Sequence, residues 1–212
     1  MKRFLSCLAI LALFPLMGCA AKQPAGQQAA DDVPALKSIV VMPVDIAPTE
    51  HGEKRPTAEQ EALDKGRLLL DNLLAEYLAD KENVRFMSAT ERDSLSGGSF
   101  ARCRTSAAVT ICKQVGGEAV LLVTINRYRD RHGNDYSVAH PASISFDYKL
   151  LEAGSGRTLC SGLFDETQQS LFENILDFAR FSKRGSKWIT GEALAREGVE
   201  ERFSNCPYLK KK

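Results

Sequence analysis

Residues 38–45 read SIVVMPVD, and the apolar run Ile39, Val40, Val41, Met42 and Val44 decides much of what this chain can become. A strand that is apolar only at alternate positions can leave one face in water. One that is apolar throughout needs cover on both faces. The run therefore belongs inside a sheet. Pro43 has no N–H for a ladder, so it must lie at the strand's end or where that amide faces no neighbour. After a polar loop, Thr57 and Gln60 have capping-box spacing, with Glu59 and Glu61 in the first turn. Leu63, Leu70, Leu73, Leu74, Tyr77 and Leu78 then recur at helical spacing and predict one apolar helix face. Gly66 costs that helix about 1 kcal/mol against Ala, which close packing on the sheet would explain. A short strand over 84–87 completes a strand–helix–strand unit, and hence a parallel pair.

The rest of the chain mixes both kinds of element. A brief helix is expected over 90–95, followed by a loop at Gly97-Gly98. That loop lacks the GKS/T pattern of a phosphate cradle. A second helix spans 106–115 and stops at Gly116-Gly117. Residues 118–131 predict a long strand that begins buried and then alternates, with Arg127, Arg129 and Arg131 on one face and Tyr128 on the other. His132-Gly133-Asn134-Asp135 is turn chemistry, with a return strand over 136–140. Ile144, Phe146, Tyr148 and Leu150 alternate with polar residues, and Ala153-Gly154-Ser155-Gly156 turns the chain into a strand over 157–166. Two helices close the chain, over 170–181 and from a Thr190 cap to about Asn205. Leu194, Val199 and Phe203 face inward in the second. The order β-α-β-α-β-β-β-α predicts an α/β (α+β) fold: a single mixed sheet with helices packed on it.

Ahead of this domain, Lys2 and Arg3 precede an apolar run over 4–17, the pattern of a secretory signal. Leu16-Met17-Gly18-Cys19 resembles the lipobox of bacterial lipoprotein precursors. The resemblance implies cleavage before Cys19 and lipidation of Cys19, and Ala20 after it implies sorting to the outer membrane. The expected organisation is a signal peptide over 1–18, a lipidated cysteine and flexible tether over 19–37, and a single globular domain over 38–208. The tether's Ala, Gln, Gly and Pro give it no hydrophobic period, and extended it reaches about 60 Å. Cleavage would remove two of the 28 basic side chains and none of the 27 acidic ones, leaving a net charge of −1. Such a balance argues against nucleic acid as a partner.

Four cysteines remain after Cys7 and Cys19: Cys103, Cys112, Cys160 and Cys206. In an oxidising compartment an even set reads as two disulfides, with three connectivities open. The preferred pairing is Cys103–Cys112 and Cys160–Cys206, worth about 2.7 and about 4 kcal/mol on a chain-entropy basis. Metal binding is disfavoured, because there is no CxxC and His51, His132 and His140 lie far from any cysteine pair. No cofactor is implied.

Two basic features are candidate partner-binding surfaces. One is the stripe Arg127, Arg129, Arg131. The other is Lys183, Arg184, Lys187 and Trp188, a basic loop with one large aromatic. Asp165 and Glu166 are paired carboxylates at a strand end, residue types that acid–base hydrolysis of glycan uses. As neighbours in a strand they point to opposite faces, which suits that chemistry badly. No nucleophile has a base beside it, so no catalytic residue is assigned.

The lipobox, the tether, the IVVMPVD strand, the leucine-rich helix and the apolar strand after a double glycine together resemble a group of envelope lipoproteins. That group includes the curli-secretion subunit, the penicillin-binding-protein activator lipoproteins and the amino-terminal domain of TolB. The resemblance covers roughly residues 38–168 and implies a non-enzymatic domain that contacts another envelope protein. A homo-oligomer, as a subunit of a secretion or assembly apparatus, is the alternative, and an envelope glycan hydrolase is a further one. The paired long apolar hairpins of a membrane barrel are not seen.

Overall fold

The apolar run does form a central strand, but Pro43 divides it. In the computed structural model, β1 is Ile39–Val41 and β2 is Asp45–Ile46. Across the break, the Val44 N–H leaves the ladder and donates to Asp71 Oδ1 at 2.8 Å. The structure describes residues 34–49, 53–97, 100, 103–135, 137–168 and 187–211. The signal segment, Cys19, the tether up to residue 33, the helix expected over 170–181, and Lys183 and Arg184 lie outside the described residues.

The remaining strands are β3 (Val84–Phe86), β4 (Ala119–Arg129), β5 (His132–Gly133), β6 (Val138–His140), β7 (Ser143–Glu152) and β8 (Thr158–Thr167). The main sheet has the order β3-β1-β4-β7-β8, with β2 also on β4. β1 is parallel to both β3 and β4, while β4–β7 and β7–β8 are antiparallel. The mixed sheet expected from the sequence is therefore present, and the 153–156 turn joins β7 to β8 as anticipated. β5 and β6 form a separate small hairpin.

Helices α1 (Thr57–Tyr77), α2 (Ala89–Ser96), α3 (Arg104–Gln114) and α4 (Gly191–Ser204) pack on this sheet. The start of α1 differs from the capping-box expectation. Pro56 holds the N-cap position, and Thr57 makes no cap bond. Proline's fixed φ sets the helical entry, and its carbonyl accepts from the Gln60 N–H at 3.0 Å. The Gln60 side chain turns to Asp64 at 3.2 Å. Caps are formed instead by Ser88, which accepts from the Glu91 N–H at 3.1 Å, and by Thr190, which accepts from the Ala193 N–H at 3.1 Å.

Both sheet faces are covered along β1, as its sequence demands. Ile39 and Val41 join a large core with Leu63, Leu70, Leu74, Ile125, Phe146, Tyr148, Leu194 and Phe203 beneath α1 and α4. Val40 and Met42 face the other way, into a smaller core with Ala108, Ile111 and Cys112 of α3 and Val120 of β4. Gly66 lets α1 approach β4. A Cβ there would lie 2.5 Å from Ile125 Cδ1 and 2.6 Å from Tyr128 Cβ.

Among the described residues the cysteines form one bridge. Cys160 of β8 is bonded to Cys206 just beyond α4, with their Cα atoms 5.9 Å apart. The expected Cys103–Cys112 bridge is absent, and both thiols are free. Cys103 is the N-cap of α3 and exposed, while Cys112 lies on the helix face that meets the sheet. They stand nine positions apart along the helix, about 13 Å along its axis, well past the roughly 7 Å limit for a disulfide.

Candidate interaction surface

A single inserted residue decides where the basic stripe points. Along β4, Leu121, Val123 and Ile125 face α1 and α4. The register with β7 then slips between Ile125 and Arg127, leaving Asn126 as a bulge. The slip carries Tyr128 onto the same buried face and turns Arg127 and Arg129 to the opposite face. The Asn126 amide donates to Asp147 Oδ1 across the strand at 3.2 Å.

On that opposite face, the core under α3 takes in β1 and the adjoining ends of β4 and β7, with Val120, Leu151 and Ala153. Over the rest, successive rows run Arg129–Ser143–Thr167, Arg127–Ser145–Asp165, Thr124–Asp147–Leu163 and Leu122–Lys149–Ser161 across β4, β7 and β8. The Arg127 guanidinium spans two rows. Its Nε donates to Ser143 Oγ at 2.6 Å and its Nη2 bonds Asp165. Ser143 Oγ also lies 2.7 Å from Thr167 Oγ1. Arg127 is thus largely neutralised by Asp165. Arg129, exposed, donates to the Pro141 carbonyl at 3.3 Å. Asp165 and Glu166 point to opposite sides of β8, so they do not converge on one reacting centre.

Arg131 does not share this face, contrary to the three-residue stripe expected from alternation. β4 ends at Arg129, and Arg131 turns instead to Asp135 at 2.6 Å and to the Trp188 carbonyl. Its side chain is only 18% exposed, which makes it a tie more than an open contact. The Trp188 N–H donates to the Asp135 carbonyl at 2.9 Å. Gln168, buried at 2% exposure, clasps both flanking residues: its amide donates to the Lys187 carbonyl at 2.9 Å and accepts from the Ile189 N–H at 2.9 Å. Asp130 holds the start of α4 beside them by accepting from the Gly191 N–H at 2.7 Å and from the Arg131 N–H at 2.9 Å. Burial pushes the Asp130 carboxyl up, but those two amides and Lys65 at 3.6 Å outweigh it, and its pKa falls below the usual value. The structure thus joins Arg131, Lys187 and Trp188 into one region and leaves Arg127 and Arg129 as another.

Sequence reasoning missed a third cluster. At the carboxyl ends of the parallel strands, Asp45 pairs with Arg92 at 3.1 Å and with Arg104 at 3.9 Å. Arg92 lies 4.7 Å from the centre of the Phe100 ring, and Arg67 meets Asp71 at 3.7 Å. Burial raises the Asp71 carboxyl above its ordinary value, with the neighbouring Asp45 adding to the rise, against the Val44 amide, Arg67 and Arg92. These contacts stitch the segment after β1 to α1, α2 and α3. No sequence spacing links residues so far apart. Next to this cluster, the outer side of α3 and the β7–β8 turn bound an open groove of about 590 Å³. Lys113 crosses it to the Gly154 carbonyl at 3.3 Å. Among the described residues, no group of His, Cys, Asp and Glu is arranged to hold a metal ion.

No family model matches the chain, and no curated protein does. Several solved structures are similar to it. The PelC dodecamer from Paraburkholderia phytofirmans is 12% identical, with 83% of this chain and 89% of that one covered at a TM-score of 0.49. Lipoprotein GNA1162 from Neisseria meningitidis is 18% identical over 72% of this chain and 99% of that one, with a TM-score of 0.40. The LpoB C-terminal domain from Escherichia coli is 17% identical over 65% and 87%, with a TM-score of 0.36. Two of the solved structures similar to the chain are described as lipoproteins.

Proposed function

We propose that this chain is a lipid-anchored protein of the bacterial envelope that binds another envelope protein without catalysing a reaction. The observation that carries the reading is the Cys160–Cys206 bridge between the last strand of the sheet and the end of α4. A structural disulfide between half-buried Cys160 and buried Cys206 fits an oxidising compartment outside the cytosol, the destination that the resemblance of the amino-terminal segment to a lipoprotein signal implies. Lipidation of Cys19 would hold the domain on the periplasmic side of the outer membrane, within reach of the tether. Arg129, Lys187 and Trp188 are the proposed contacts, with Arg131 tying down the Trp188 backbone. They join positive charge to one large aromatic, the composition that anchors many protein interfaces. Ties from Gln168 and Asp130 fix the backbone on either side of Trp188, at Lys187, Ile189 and Gly191, which lowers the ordering cost of binding.

The test is crosslinking in living cells from photoreactive residues placed at Trp188 and Arg129. A single envelope protein captured at both supports the reading, and no specific capture at either refutes it. Cys19→Ser in the same cells should give a folded, soluble periplasmic protein that fails to complement a deletion. Full complementation would show that the anchor is dispensable. The long edge of β8 favours a second reading, a self-assembling subunit of an envelope apparatus, and its geometry can be taken further.

A further inference from the structure

β8 is a ten-residue strand that, among the described residues, pairs only with β7. The Gln168 N–H donates to the Ala142 carbonyl at 3.0 Å, and the β7–β8 register continues that phase through Glu166, Phe164 and Gly162. In an antiparallel ladder the N–H and C=O of one residue point the same way, and successive residues alternate. The even residues of β8 therefore bond β7, and Ser161, Leu163 and Asp165 present their backbone groups to the free edge. These three are exposed, and Leu163 is 54% exposed, the largest apolar side chain on the strand to be so. Proteins commonly guard such an edge with proline, a bulge or inward-pointing charge. Between Ser161 and Asp165 there is neither proline nor a register shift, and the one charge, Asp165, is paired with Arg127.

We infer that this edge is the seam of a twofold homodimer, in which β8 pairs antiparallel with β8 of a second copy and Leu163 lies opposite Leu163. The register follows from the side chains. Centred on Leu163, the pairing sets Ser161 opposite Asp165 in both directions, so a hydroxyl meets a carboxylate twice. It forms about six inter-strand hydrogen bonds through the three facing pairs. The two leucines, otherwise the exposed apolar spot of the strand, cover each other. Centring on Asp165 instead would oppose two carboxylates, which is unfavourable. On the other side of the strand, Phe164 falls opposite Gly162, so no bulky pair collides. The dimer does not depend on which envelope protein the monomer binds.

The test uses the full chain in its own membrane, with Cys103→Ser to remove the exposed free thiol. Under mild oxidation, Leu163→Cys should yield a disulfide-linked dimer. Co-expressed Ser161→Cys and Asp165→Cys chains should crosslink to one another. Ser161→Cys alone should not, because its copies would lie about 13 Å apart. In detergent, sedimentation of the full-length protein should show a dimer whose dissociation constant rises at least tenfold with Leu163→Lys, while the unfolding midpoint of the chain stays put. The inference is overturned by a monomer at every concentration, by a dimer indifferent to Leu163→Lys, or by crosslinking through Ser161→Cys alone in preference to Leu163→Cys. Should Leu163→Lys fail to fold, the crosslinking pattern decides.

Discussion

Gly66→Ala is the sharpest single perturbation of this fold. On helix propensity alone it should stabilise α1 by about 1 kcal/mol. The structure opposes that gain. A methyl at residue 66 would sit 2.5 Å from Ile125 Cδ1, 2.6 Å from Tyr128 Cβ and 2.7 Å from Tyr128 Cγ. The Ile125 methyl can swing away, but Tyr128 Cβ is fixed to the backbone of a central strand. The helix must therefore lift from the sheet, loosening Leu63 and Leu70 on either side of the contact, both of which are buried. Overpacking of this kind costs about 1–3 kcal/mol, and the lost contacts of two leucines raise it toward the upper end. After the propensity gain, the expected net loss is about 1–2 kcal/mol, or roughly 2–8 °C in Tm for a domain of this size. Thermal and urea unfolding of Gly66→Ala and Gly66→Ser measure it, with Ser worse than Ala. Gly154→Ala is the control, since a Cβ there meets nothing within 4 Å. It should leave Tm unchanged or slightly raised. A Gly66→Ala protein as stable as its parent would show that α1 does not need this close approach.

Two further outcomes follow from individual side chains. Burial pushes the Cys112 thiol up to about 11, whereas Cys103 is exposed at the start of α3, so a maleimide should modify Cys103 in the native protein and Cys112 only on unfolding. Equal rates at the two sites would contradict the placement of Cys112 against the sheet. Asp130 titrates below the usual carboxylate range, so its ionised form stabilises the fold above that range, and the contribution is lost as pH falls through its folded pKa. Asp130→Asn should therefore cost stability near neutral pH, by about 1 kcal/mol or less because the carboxylate is 41% exposed, and the gap should close in acid. A urea midpoint difference that persists or widens at low pH would refute the role given to its charge.

Where the sequence was readable, one local rule sufficed. Alternation in 143–152 and 158–167 and the glycines between them specify the β7–β8 hairpin, and leucines at helical spacing specify α1. Leu194, Val199 and Phe203 are buried as their spacing requires. The failures share a different cause, competition between two local rules or a contact across the fold. At α1, a capping-box spacing lost to a proline one residue earlier. For Cys103 and Cys112, closeness in sequence suggested a bridge, but a helix between them stretches nine positions into a separation no disulfide spans. The Asp45–Arg92–Arg104 cluster and the Gln168 clasp join residues brought together only by the sheet order, and no spacing in the chain marks them. The arginine stripe failed at its last member, because β4 ends before Arg131.

The bulge at Asn126 ties these observations into one constraint. Strict alternation from Leu121 through Ile125 would send residues 127 and 129 toward α1 and α4 and residue 128 away from them. Two arginines would then enter an apolar core, at a desolvation cost of several kcal/mol each. One extra residue reverses the parity: the arginines reach the open face and Tyr128 fills the core, where burial pushes its hydroxyl up to about 12. The same slip sets Ile125 and Tyr128, three positions apart, on one side of the strand, and Gly66 is the gap in α1 that receives both. A single insertion thus fixes the close approach of α1 and the outward aim of Arg127 together. It also supplies the Arg127–Asp165 pair that relieves the charge on the free edge of β8. The residue that looks least structural, an exposed asparagine in a strand, determines which face of the sheet is core and which can meet a partner.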